Sequence, residues 1–241
     1  MPMNADLDDY ICGGYFLTKR VSRPAYVSNL APDRMTTLSA CFTDIAPDSW
    51  ADADYRHDDV EQVQEAVKFG IPATAVPELV NMFTRAVRPE HLTNFFPSLS
   101  IGQNFYRYCA DKDLVVLIGI GLERSLIPTL HAQLHDDVNE GYGLIERVNA
   151  NIPLERGGNV LGYEPLGFDA TRFHSWLCHN APVDAYDRFG IRPNSTGLID
   201  SFADVVRITE HLKATGAELA IWEPWLVVQY GSDEESPSPS K

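Results

Sequence analysis

The sequence lacks the features that would point to a membrane or to nucleic acid. Its longest apolar run, 114–118, is far shorter than the ~18 residues of a membrane-spanning helix, and a glycine follows it. The 241 residues include only 19 lysines and arginines against 34 acids, a net charge of −15. Because phosphate groups are bound by clustered Lys and Arg, this balance argues against nucleic acid and anionic membranes as direct partners. It permits a basic protein as partner, attracted by long-range electrostatic steering.

Close cysteine pairs are also missing. The four cysteines are scattered along the chain, at Cys12, Cys41, Cys109 and Cys178. A zinc knuckle needs close pairs of ligands, so this spacing does not predict one. The N-terminus is acidic where a secretory signal would be basic and then apolar. We therefore expect a cytoplasmic protein with reduced, packed thiols and no cofactor.

Composition and the order of the predicted elements limit the possible folds. Apolar residues make up 44% of the chain, and its length suits one large domain. Helical and strand patterns are interspersed without strict alternation, which favours a single α+β domain with a mixed or antiparallel sheet. We place this domain at 10–230, after a flexible N-terminus (1–9) and before a disordered acidic Ser/Pro tail (231–241). A two-part chain divided near 136–156 is the alternative.

Hydrophobic periodicity and turn residues predict the individual elements. Strands are expected at 10–20, 35–43, 113–119, 160–168 and 218–230. Helices are expected at 58–70, 77–89, 123–135, 182–189 and 201–216. The first strand is expected to bend at the Gly13-Gly14 pair. The last helix is the clearest, because Ser201 suits its N-cap and Gly216 suits its C-terminal end.

Gly119 and Gly121 resemble the start of a dinucleotide-binding loop. Such a loop needs a third glycine where this chain has Arg124, and no acid follows at the distance that would bind a ribose. The pattern therefore predicts a plain turn between a strand and a helix, without a nucleotide.

Two histidines are spaced as a metal site on a helix would be. His131 and His135 lie four residues apart, which puts both imidazoles on one helix face. A zinc protease would have Glu after the first histidine, where this chain has Ala132. Two histidines near a helix C-terminus also interact well with its dipole without metal. We expect no metal site here and keep these two residues as weak candidates.

The segment 157–180 concentrates more reactive side chains than any other part of the chain. Cys178 could act as a nucleophile, with His174 or His179 as its base and Asp169 as the group that orients the base. On a helix, His174 and Cys178 would share a face. The alternative is a packed segment with Phe173, Trp176 and Leu177 in the core. We favour the packed interpretation, because free cysteine is among the most buried residue types.

Aromatic residues near the C-terminus are candidates for partner binding. Trp222, Trp225 and Tyr230 lie in the last predicted strand, where Pro224 is typical of a sheet edge. Tryptophan and tyrosine are favoured at interface hot spots. Core packing is the equal alternative.

The C-terminal third resembles a group of uncharacterised bacterial cytosolic proteins. The shared pattern consists of LGYEPLGFD, FHSWLC, the turn GIRPNSTGLID and the closing strand PWLVVQY, over about residues 155–230. That group has no assigned activity, so the resemblance implies no catalytic residue. In its general style the chain also loosely resembles small immunity proteins of bacterial toxin systems, which are acidic, cytosolic and without a catalytic signature.

These features favour a non-catalytic protein that binds another protein. An immunity-like neutraliser of a basic protein is the sharpest version, and docking would use charge steering and then aromatic anchors. The alternative is a hydrolase or transferase built on Cys178, His174 and Asp169.

Overall fold

The described part of the chain contains eight strands, seven α-helices and five short 3₁₀ helices. The computed structural model describes residues 5–27, 30–47, 59–86, 95–133, 142–169, 172–217 and 220–231. The strands are β1 (Tyr10–Lys19), β2 (Val21–Ser22), β3 (Arg34–Met35), β4 (Ile45–Ala46), β5 (Val115–Glu123), β6 (Asn159–Asp169), β7 (Arg172–Ser175) and β8 (Ile221–Tyr230). The helices are α1 (Asp59–Lys68), α2 (Val76–Ala86), α3 (Leu99–Tyr108), α4 (Ile127–Gln133), α5 (Tyr142–Asn149), α6 (Ala181–Phe189) and α7 (Phe202–Thr215).

Six of the strands form one antiparallel sheet in the order β4-β1-β5-β8-β6-β7, and β2 pairs with β3 in a separate ribbon. The inner strands β1, β5 and β8 are buried over nearly their whole length. Burial on both faces explains why their sequences are almost continuously apolar. The arrangement confirms the expected single α+β domain and resolves its sheet as antiparallel.

The two faces of the sheet carry separate apolar layers. One layer includes Phe16 and Ile118 and packs with Leu144 of α5 and with residues of α4. The opposite layer includes Tyr15 and Leu117 and packs against helices α1, α2, α3, α6 and α7. Helices therefore cover both faces, and the sheet forms the centre of the molecule.

Residues 36–44, which we call the closing segment, connect the two edges of the curled sheet. The amide of Ala40 donates a hydrogen bond of 3.2 Å to the carbonyl of Phe173 in the edge strand β7. The chain then enters β4, the other edge strand, which pairs with β1 through Leu17 and Ala46. The segment thus fixes the distance between the two edges.

The predicted strand at 35–43 is therefore largely wrong. Only Arg34–Met35 and Ile45–Ala46 are strand in this region. Hydroxyl groups take the backbone donors that a sheet ladder would use: Ser39 N donates to Thr37 Oγ1 (3.1 Å) and Cys41 N to Ser39 Oγ (3.3 Å). Such local bonds compete with strand pairing.

The turn predicted at Gly119 and Gly121 is also wrong, because both residues lie inside β5. Gly119 pairs with Tyr15 of β1 and with Val228 of β8. A Cβ atom at Gly119 would lie 2.9 Å from ring atoms of both Tyr15 and Tyr230. The glycine therefore leaves room for two aromatic rings to pack over the middle of the sheet.

Other predicted elements are confirmed. The first strand has its irregularity between Cys12 and Gly14, at the predicted bend. In α7, Ser201 accepts a hydrogen bond from Asp204 N (3.3 Å), and Gly216 ends the helix with φ +60°. Across the described ranges, each helix is too short or too polar to pass through a lipid bilayer.

Candidate functional site

The aromatic residues predicted to bind a partner lie in the middle of the sheet. β8 pairs with β5 on one side and with β6 on the other, and Trp222, Trp225 and Tyr230 are only 1%, 1% and 4% exposed. The prediction of an exposed aromatic edge is therefore wrong, since a partner has no access to these side chains in this fold. Pro224 is tolerated because its partner in β6 is Pro165 and the pairing with β5 ends at Trp225.

The structure describes only one of the two histidines that were considered for metal binding. His131 is exposed near the end of α4. His135 lies outside the described residues. Their pairing stays a prediction.

The segment around Cys178 combines a strand with a tight turn. Phe173 and His174 belong to β7, and a 3₁₀ helix follows at Trp176–His179. Ser175 is the N-cap of this 3₁₀ helix, and its Oγ accepts a hydrogen bond from Leu177 N (3.2 Å). His174 and Cys178 therefore do not share the face of one helix, the geometry considered for them from their spacing.

The packed interpretation of the segment is confirmed for its apolar members. Phe173, Trp176 and Leu177 are buried in the core. The polar members His174 and Cys178 stay half-buried at the surface of the domain. The segment thus anchors itself through its aromatic and aliphatic side chains and presents its histidine and thiol at the boundary with solvent.

The change of direction between β7 and the 3₁₀ helix nevertheless brings His174 and Cys178 together. A third side chain joins them, Cys41 of the closing segment, and the three potential ligand atoms all lie within 4.8 Å of one another. Cys41 Sγ lies 4.0 Å from His174 Nδ1. Cys41 is exposed. We call these three residues the Cys-His-Cys cluster, and their soft nitrogen and sulfur atoms could hold one metal ion.

The third predicted member of a catalytic set is Asp169. Asp169 is the last residue of β6, and its backbone pairs with Arg172, the first residue of β7. The side chain of Asp169 lies outside the described part of the structure. Its role as an orienting group stays a prediction.

Ser39 links the two cysteines of the cluster. Its Oγ lies 3.0 Å from Cys178 Sγ, and the same oxygen accepts a hydrogen bond from the amide of Cys41. One hydroxyl thus fixes the position of one thiol directly and of the other through its backbone.

The Cys178 thiol does not have the properties of an activated nucleophile. Burial raises the pKa of this thiol to about 11, although its hydrogen bond with Ser39 opposes the rise, and the neighbouring Cys41 adds to it. Nucleophilic cysteines have lowered pKa values and sit in electropositive surroundings. Near neutral pH the Cys178 side chain is therefore the neutral thiol, which argues against covalent catalysis by this residue.

A buried carboxylate fastens the closing segment beside the cluster. Glu164 of β6 is 1% exposed. Its Oε1 accepts hydrogen bonds from Thr37 Oγ1 (2.5 Å) and Ser175 Oγ (2.6 Å), and its Oε2 accepts one from Leu38 N (3.2 Å). Burial raises the pKa of Glu164 to about 7, and these three hydrogen bonds oppose the rise. The carboxyl group therefore joins the closing segment, β6 and the start of the 3₁₀ helix.

An open cleft of about 330 Å³ lies next to Cys41. Lys19 and Asp44 line it and form an ion pair of 2.6 Å between Nζ and Oδ2. Cys41 is part of its wall, so an ion or a small molecule can approach the cluster from solvent.

Sequence reasoning missed Cys41 and Ser39. Cys41 is 133 residues away from His174, and Ser39 is 139 residues away from Cys178. Only the curl of the sheet, which brings the closing segment onto β7, unites them. The sequence carries no local spacing signal for such a cluster.

Comparisons with protein-family models, with curated proteins and with solved structures found no match. No residue of this chain therefore takes a role from a relative.

Proposed function

We propose that this protein is a non-catalytic binding protein whose partner is a basic protein. The observation that carries the proposal is the net charge of −15, with 34 acids against 19 bases. Such a charge speeds the approach of cationic surfaces and repels acidic ones. In its sharpest form the protein is an immunity-like neutraliser in a reducing cytoplasm, in keeping with the loose likeness in sequence style.

The described surface offers both charge and aromatic anchors. Exposed acids occur in several helices and loops, among them Asp33, Glu78, Asp113, Asp187 and Glu210. Large exposed aromatic side chains are Tyr26, Tyr108 and Tyr186. These tyrosines, rather than the buried tryptophans, are available as anchors, and tyrosine is a favoured hot-spot residue. The proposal therefore moves the docking surface away from β8.

The direct test is capture of the partner from native cytoplasm. The tagged full chain is used as bait at low and at high salt, and co-eluting proteins are identified by mass spectrometry. We expect one stoichiometric basic protein that salt releases, because exposed charges are screened at high ionic strength. Absence of a partner at both salt concentrations, or an acidic partner that salt does not release, would overturn the proposal.

Two charge-matched variant pairs locate the contact. Asp187→Asn with Glu210→Gln removes two acids from α6 and α7, and Glu78→Gln with Asp113→Asn removes two acids elsewhere. If the partner docks on one of these faces, that pair weakens capture at low salt more than the other. If neither pair weakens it, these four acids are not part of the contact.

The hydrolase or transferase alternative keeps one observation in its favour, the approach of His174 to Cys178 within 4.8 Å. It predicts that iodoacetamide alkylates Cys178 well below the pH at which ordinary thiols react. Because burial raises the pKa of this thiol to about 11, we expect slow alkylation of the folded protein near neutral pH. Site-resolved mass spectrometry measures the rate, with the unfolded protein as control. Fast alkylation of Cys178 at neutral pH would favour the enzyme.

A further inference from the structure

The Cys-His-Cys cluster assembles from three separate parts of the fold. Cys41 comes from the closing segment, His174 from β7 and Cys178 from the 3₁₀ helix that follows. The ligand atoms lie within 4.8 Å of one another. Each part is also anchored in the protein core by a buried side chain, which is Leu38, Phe173 or Leu177.

We infer that this cluster is a binding site for a Zn²⁺ ion, with Cys41 Sγ, His174 Nδ1 and Cys178 Sγ as its protein ligands. Zinc in proteins is bound tetrahedrally by thiolate sulfur at about 2.3 Å and by imidazole nitrogen at about 2.0–2.1 Å. In such a tetrahedron neighbouring ligand atoms are roughly 3.5–3.8 Å apart. The 4.0 Å between Cys41 Sγ and His174 Nδ1 is close to this separation, and all three ligand atoms lie within 4.8 Å of one another. Zinc binding would therefore need side-chain rotations that draw the three atoms closer together.

The surroundings suit a metal site better than a disulfide. A disulfide between Cys41 and Cys178 would have no use for the imidazole of His174, whereas zinc uses all three groups. Ser39 Oγ, 3.0 Å from Cys178 Sγ, is placed to donate a hydrogen bond to a metal-bound thiolate. Partners of this kind orient ligands and tune metal affinity.

Zinc binding at this cluster balances in protons and in charge. The thiols of Cys41 and Cys178 each release one proton to solvent, and His174 binds through its neutral ring, so the charge of the two thiolates matches that of one Zn²⁺ ion. The exposed side of Cys41, next to the cleft, leaves the fourth position to water. Coordination would tie the closing segment to the edge strand β7 and to the turn after it.

The test uses the full chain, stripped of metal and kept reduced, and titrates it with Zn²⁺ or with Co²⁺ as a spectroscopic probe. We expect one ion per chain, cobalt absorption bands typical of tetrahedral thiolate coordination, and a higher unfolding temperature with zinc than without it. Elemental analysis of the protein purified with its metal gives the stoichiometry independently.

Variants separate this site from other thiols and histidines. Cys41→Ser, which changes an exposed side chain, is expected to weaken zinc binding by at least about 100-fold, and Ser39→Ala by about 10–100-fold. Two controls, Cys109→Ser and His131→Gln, are expected to bind zinc as the wild type does, because neither residue is in the cluster. Circular dichroism confirms that each variant is folded.

The inference is overturned if the wild type binds no ion at one equivalent, or if bound cobalt shows no thiolate bands. Equal zinc affinity of Cys41→Ser and the wild type would overturn it as well. Loss of binding in His131→Gln would place the ion on α4 instead.

Discussion

At the scale of single residues, Glu164 is the side chain whose burial most directly links the local structure to stability. It is fully enclosed, yet it accepts three hydrogen bonds, two of them from the closing segment. Burial raises the pKa of Glu164 from an ordinary value of 4.5 to about 7 in the folded protein. The folded state therefore binds a proton at this site more tightly than the unfolded chain does.

This shift predicts how stability changes with pH. The contribution of Glu164 to the free energy of unfolding is most favourable below about pH 4.5. It is lost as the pH rises to about 7, because the folded protein must then hold a buried charge. The full rise in the pKa of Glu164 corresponds to about 3 kcal/mol in the free energy of unfolding. We expect the free energy of unfolding of the wild type, relative to that of Glu164→Gln, to fall between about pH 4.5 and about pH 7. Urea denaturation at several pH values measures the difference.

The same substitution at an exposed position serves as control. Glu78→Gln on α2 removes a carboxylate from the surface, so its stability should follow that of the wild type at each pH. A constant difference between the wild type and Glu164→Gln over the whole range would contradict the raised pKa.

Sequence reasoning at this scale predicted the burial of Phe173, Trp176 and Leu177 but not the geometry of the reactive side chains beside them. The spacing of His174 and Cys178 brings them to one face only on a helix, whereas a change of direction between β7 and the 3₁₀ helix brings them together here. The burial of Trp222 and Trp225 could not be distinguished from exposure, because a strand is central or at an edge according to its neighbours in space. Cys41 could not be found, because only the folded sheet brings it to β7.

At the scale of elements, helices were easier to predict than the closing segment. α7 has its start and end encoded by Ser201 and Gly216, and both groups act within a few residues of the helix. The closing segment has an apolar and threonine-rich sequence typical of a strand. Its conformation is instead set by hydroxyl-to-backbone bonds and by Glu164, which is more than a hundred residues away.

The middle of β5 gives a prediction for sheet packing. Gly119→Ala would place a Cβ atom 2.9 Å from ring atoms of Tyr15 and Tyr230. Both rings are buried, and Tyr230 OH donates a hydrogen bond to Glu155 O (2.5 Å), so they have little freedom to move. We expect a loss of about 1–3 kcal/mol in the free energy of unfolding, measured by chemical denaturation.

Val67→Ala on α1 is the control, because Val67 is 58% exposed. Its stability should change by no more than about 0.5 kcal/mol. If Gly119→Ala were as stable as the wild type, the two rings would not be fixed over β5 as described.

At the scale of the whole molecule, the fold class was predictable and the topology was not. Interspersed helix and strand patterns favour one α+β domain, and the antiparallel sheet confirms it. The strand order places β8, the last strand in the described part of the chain, between β5 and β6. That order depends on long-range pairing, for which periodicity in a single sequence gives no signal.

The whole-molecule property that determines the proposed function is the net charge of −15. Steering by such a charge acts on the rate of encounter more than on the lifetime of the complex. It is also screened over about 8–10 Å at physiological salt. The proposed partner is thus defined by its basic surface rather than by a pocket.

The measurement that tests this claim most directly is the association rate of the captured partner as a function of ionic strength. Stopped-flow fluorescence can follow it with the full chain. We predict that the association rate falls by at least about tenfold between low and physiological salt while the dissociation rate changes little. An association rate that does not depend on salt would contradict the account, because the acidic charge would then play no part in recognition.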